Sequence, residues 1–162
     1  MRRALLTVCV ALALLLQPSA SAQTVSPNRS KTILPLLPIT AAQTATVYDV
    51  SVVPAGAVSL SLQANFVYGS GGTTCKAWVQ TSLDGGATWI DIANFALTTS
   101  SARVVHSVRV TTAVAANYTA TDGSLADNTI KDGILGDRLR VKITTTGTYA
   151  GSTTLRIDGI FQ

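Results

Sequence analysis

The stretch Val58-Ser59-Leu60-Ser61-Leu62-Gln63-Ala64-Asn65-Phe66 alternates apolar and polar residues without a break. In a pleated strand successive side chains point to opposite faces. Val58, Leu60, Leu62, Ala64 and Phe66 therefore share one face, and Ser59, Ser61, Gln63 and Asn65 the other. A helix would scatter the same residues around its axis and bury none of its sides cleanly. The pattern returns near the C-terminus: Leu139, Val141 and Ile143 oppose Arg138, Arg140 and Lys142, and Leu155, Ile157 and Phe161 oppose Thr154, Arg156 and Asp158. β-Branched or alternating runs at 44–53, 75–82, 89–95 and 102–112 complete the set, separated by Gly- and Pro-containing turns such as Pro54-Ala55-Gly56. About seven short strands in this arrangement predict an all-β fold, an antiparallel β-sandwich or jelly roll. The last two, joined by Thr146-Gly147-Thr148-Tyr149-Ala150-Gly151, are expected to form a hairpin.

Composition argues the same way. Charged residues are 12% of the chain, every acidic residue is Asp, and lysine is confined to positions 31, 76, 131 and 142. Without Glu and with little Lys, a solvated helix surface has almost no material. The 162 residues suffice for one core and a short appendage.

Residues 1–22 read as a secretory leader: Arg2 and Arg3, an apolar run from Ala4 to Leu16, Pro18, and the small triplet Ala20-Ser21-Ala22. The apolar run falls short of the roughly 20 residues of a membrane-spanning helix, so no stable membrane span is expected. Removing Arg2 and Arg3 lowers the formal charge from +4 to +2. The remaining basic residues are dispersed, which leaves no patch for nucleic acid. Processing would place the protein in the periplasm or medium; an uncleaved segment would leave it inside the cell.

Residues 23–40 hold Pro27, Pro35 and Pro38 around Ile33, Leu34, Leu36 and Leu37. Proline removes backbone donors, so an extended N-terminal arm is expected ahead of a domain over 41–162. The four apolar side chains are candidate assembly contacts with a neighbouring subunit, or a strap over the chain's own core.

A long connection at 113–136 carries Asp122, Asp127 and Asp132, further candidate contacts, with Asp137 just beyond. Calcium is conceivable for such carboxylates, but EF-hand spacing is missing, and neither a metal nor another cofactor is expected. Cys9 would leave with the leader, so Cys75 could form no intrachain disulfide and reads as a small core residue. His106 shares a face with Val104 and Val108 and reads as a hydrogen-bonded core or interface imidazole. No Gly-x-Ser-x-Gly elbow, phosphate loop or dinucleotide fingerprint occurs, and no catalytic residue is assigned.

The sharpest local motif is Ser82-Leu83-Asp84-Gly85-Gly86-Ala87-Thr88-Trp89. It resembles the Asp-box of sialidases and other secreted β-proteins. The Asp can accept turn amides, Gly permits positive φ, and Trp can pack beneath the turn, so Ser82, Asp84, Gly86, Thr88 and Trp89 are assigned a structural role. Two longer stretches, Trp78 to Ala93 and Asp132 to Lys142 continuing through Tyr149 to Leu155, resemble small structural proteins of tailed bacteriophages and prophages. That resemblance implies a non-enzymatic virion component, such as a capsid decoration, head fibre or tail protein, acting as a homo-oligomer or with other virion proteins. The alternative is an exported binding module, with Tyr68, Trp78 or Tyr118 as stacking surfaces for carbohydrate. An Asp-dependent hydrolase ranks last.

Overall fold

The computed structural model describes residues 29–110 and 118–162. The expected leader, and the parts of the arm and of the long connection at 23–28 and 113–117, lie outside the described residues. Among the described residues every regular element is a strand, and no helix is long and apolar enough to cross a membrane. The strands are β1 (Arg29–Pro38), β2 (Thr46–Val52), β3 (Ser59–Val67), β4 (Ser70–Gly71), β5 (Thr74–Ser82), β6 (Ile90–Leu97), β7 (Ala102–Arg109), β8 (Arg138–Thr146), β9 (Tyr149–Ala150) and β10 (Thr154–Phe161).

Two four-stranded sheets face each other, ordered β1-β10-β3-β7 and β2-β8-β5-β6. Setting aside the two-residue ribbon β4/β9, the long strands pair first with last and inward from there: β1 with β10, β2 with β8, β3 with β7, β5 with β6, all antiparallel. A chain paired this way is one long hairpin rolled up, and the pairings β10 with β3 and β8 with β5 close the roll. That connectivity is a jelly roll.

Alternation assigns the faces correctly. Leu60, Leu62, Ala64 and Phe66 of β3, Leu139, Val141 and Ile143 of β8, and Leu155, Ile157 and Phe161 of β10 are all buried. Val58, expected on the inward row, precedes β3 and remains 49% exposed, because its backbone N–H turns to the Gln162 carbonyl before the strand begins.

Two expectations are corrected. The segment assigned to an arm is strand β1, so the sandwich begins before residue 41. Its prolines are compatible with a strand because β1 is an edge: its register against β10 shifts between Thr32 and Leu34 and between Leu34 and Leu37, around Pro35, where an absent N–H breaks no interior ladder. Lys31 also protects this edge, reaching across to donate to the Val52 carbonyl of the other sheet at 3.1 Å.

The second correction concerns the predicted hairpin at 146–151. β8 and β10 lie in opposite sheets, and the connection crosses between them. On the way, Tyr149-Ala150 pairs with Ser70-Gly71 and buries the Tyr149 ring edge-on to Phe66 and Tyr68. Gly72 sits at φ +60°, and a Cβ there would lie 2.5 Å from that ring. The glycine run at 69–72 is thus shaped to admit an aromatic side chain.

Candidate functional site

The turn between β5 and β6 is braced by its own side chains. The Ser82 hydroxyl donates to Asp84 Oδ1 at 2.7 Å and accepts the Gly86 N–H at 2.8 Å; Thr88 N–H donates to Asp84 Oδ1 at 2.8 Å. Gly85 and Gly86 both take positive φ. The Thr88 backbone N–H, then the Ser82 hydroxyl, favour the ionised form and hold the Asp84 carboxyl down at about 2. Trp89 is half-buried, with the Arg140 guanidinium 4.3 Å over its ring. Leu83 is left at the tip of this cross-braced turn, 64% exposed.

The long connection is fastened to the outer face of the β2-β8-β5-β6 sheet. Its backbone runs beside β6: Asp91 N–H donates to the Thr121 carbonyl, Asn94 N–H to the Thr129 carbonyl, and Lys131 N–H to the Ile92 carbonyl. Asp91 is fully buried and accepts the backbone N–H groups of Gly123, Ser124 and Leu125, together with Gln80 Nε2 at 2.6 Å. Trp78 donates through Nε1 to the Leu125 carbonyl. The carboxylates marked as candidate contacts are engaged within this chain. Asp122 binds Lys142 at 2.9 Å, Gln80 at 3.0 Å and Arg140 at 2.8 Å, and Lys142 first, then Gln80, hold its carboxyl below the usual range. Asp127 pairs with Lys76, and Asp132 accepts the Arg109 N–H. Of the backbone around Asp137, the N–H bonds to the Ser82 carbonyl and the carbonyl accepts from Val53.

Asp91, Gln80 and Asn94 carry no mark in the sequence. The one available signal is an Asp and an Asn interrupting the apolar run Ile90 to Phe95, where only a covering segment rich in free N–H groups could satisfy them.

The apolar residues expected to reach a neighbour divide. Ile33 and Leu34 are buried in this chain's own core and are withdrawn as assembly contacts; Leu37 is half-buried against the same core. Leu36 alone projects, at 61% exposure.

The opposite outer face, on β1-β10-β3-β7, has no covering segment among the described residues. By register, Ser30, Ile160, Ser61 and Ser107 form one cross-strand row, and Asp158, Gln63 and Val105 lie in the next. Between the rows lies a cavity of about 260 Å³ bordered by Ser30, Ser61, Gln63, Val105, Asp158 and Ile160. Val105 is 63% exposed and Ile160 44%. Asp158 is taken by Arg156, whose Nε lies 2.8 Å from Oδ2. Arg103 and Arg109, on the same strand and face as Val105, form no ion pair among the described residues.

Other reactive groups are dispersed. His106 Nε2 lies 3.0 Å from the Asn94 carbonyl and its ring packs on Phe95 at 4.6 Å. Burial pushes the Cys75 thiol up to about 12. Trp78 is buried, Tyr68 packs on Tyr149, and Tyr118 lies under Lys131, so the three aromatics form no shared platform. No group of three or more His, Cys, Asp or Glu side chains among the described residues is placed to hold a metal ion. No protein-family model, curated protein or solved structure matches the chain.

Proposed function

We propose that this domain is a non-enzymatic structural subunit, of the kind carried by tailed-phage particles, that works by packing against other subunits. The observation that carries the reading is the contrast between the two outer faces. One is covered by the chain's own residues 121–131, while the other displays Val105 and Ile160 beside a cavity, with nothing described over them. Exposed apolar surface grouped around a depression is a recurrent feature of association sites. The groups from which chemistry could be assembled serve the fold instead: Asp84 a turn, Asp91 and Asp122 the covering segment, Asp158 an ion pair. Jelly rolls serve capsids, lectins and enzymes alike, so the fold supports the reading without selecting it.

Membership of a particle is tested by purifying virions from a producing strain and analysing them by mass spectrometry. Peptides from Ser30 to Gln162 in stoichiometric amount are the expected result, and their absence from intact particles overturns it. The mature N-terminus of the same material decides between a virion protein that retains residues 1–22 and an exported one that begins at Gln23.

A further inference from the structure

The cavity on the β1-β10-β3-β7 face is chemically lopsided. On the β10 side its carboxylate, Asp158, is neutralised by a bidentate Arg156. On the β7 side Val105 stands on an outward row with Arg103 and Arg109, neither paired with a carboxylate among the described residues. A complementary group is therefore an apolar side chain with a negative charge next to it. The chain carries one on its own surface. Among the described residues, Leu36, Val52, Leu83 and Val105 are the large hydrophobic side chains above 60% exposure, and of these only Leu83 has a carboxylate as its sequence neighbour, Asp84.

Leu83 is also presented rigidly. The Ser82 and Asp84 hydrogen bonds brace the turn from within, so little conformational freedom remains to be lost on docking. The Asp84 carboxylate stays ionised throughout the physiological range. Leu83 belongs to the β5–β6 turn of one sheet and the cavity to the outer face of the other, so the two surfaces differ.

We propose that Leu83 of one copy seats in the Val105/Ile160 cavity of a second copy, with Asp84 facing Arg103, the next residue on the same face as Val105. This rests on the assembly reading above and names its partner. A contact between two different patches is heterologous, and its repetition builds a ring or an open filament rather than a closed two-fold dimer.

The test uses the full chain with Cys9→Ser, which leaves only the buried Cys75 thiol. Leu83→Cys and Val105→Cys are made as separate proteins, mixed and oxidised. A disulfide-linked pair is expected from this mixture, and little from a control mixing Leu36→Cys with Val105→Cys, since Leu36 is comparably exposed. In parallel, Leu83→Asp, an exposed substitution that preserves the circular dichroism and melting profile, weakens self-association in sedimentation by about tenfold or more. Raised salt weakens the wild type in the same direction. Equal cross-linking in both mixtures, or undiminished association of Leu83→Asp, overturns the docking while leaving the assembly reading intact. A wild type that stays monomeric up to about 1 mM overturns the docking as well. The assembly reading itself then stands or falls on the particle analysis.

Discussion

Asp91 grips the backbone amide of Gly123 with both carboxylate oxygens, at 2.9 and 3.0 Å, from a position with no solvent exposure. Ser124 and Leu125 donate to the same carboxylate, so one side chain of β6 anchors the covering segment. Asp91→Ala leaves these amides without their acceptor beneath the segment. The expected loss is about 2–4 kcal/mol in denaturant unfolding, with faster hydrogen exchange at residues 123–125 than elsewhere. Unchanged exchange there would show that the segment is held by its other bonds.

Asp84 makes the β5–β6 turn sensitive to acid. Its folded carboxyl titrates at about 2 against an ordinary 3.8, so its contribution is present above the ordinary value and is lost as pH falls from about 4 towards 2. Carboxyl carbon shifts in NMR should report the low midpoint, and the Thr88 amide should move with it. Asp84→Asn removes that transition.

Cys75 is buried in the core and its thiol titrates near 12. The folded protein should therefore leave this thiol unmodified by a thiol-specific reagent at pH 8 and label there only after denaturation. Rapid labelling in the native state would contradict the packing around β5.

Tyr149 and Gly72 fit as ring and gap. Gly72→Ala places a methyl group against the ring at a backbone angle that disfavours side chains, and should cost about 1–3 kcal/mol by thermal or denaturant unfolding. Tyr149→Phe keeps the ring and loses only the bond from its hydroxyl to the Thr98 carbonyl, for about 1 kcal/mol. A larger loss for Tyr149→Phe than for Gly72→Ala would place the stabilisation in the hydroxyl instead.

The strands of the sandwich were legible because their signal is local. Each of the seven segments with β character contains a long strand, and Leu60, Val141 and Ile157 point inward as alternation requires. Strand β1 was hidden because Pro35 and Pro38 speak against a ladder, and only an edge position reconciles them with one. The turn at Ser82–Trp89 was legible for the same local reason: each donor and acceptor lies within a few residues of its partner.

Period and turn chemistry thus establish an all-β chain, the inward face of its main strands, and a braced turn that displays Leu83. Sheet membership was beyond their reach, because β8 and β10 carry the same alternation and differ in whether β2 and β5 or β1 and β3 lie beside them. So was the fate of Asp91 and Asp122, whose partners lie 11 to 42 residues away or are other backbone amides. Those pairings depend on the jelly roll bringing distant strands and the long connection together. One outer face is covered by that closure and the other has no covering segment among the described residues, and the proposed association rests on the difference.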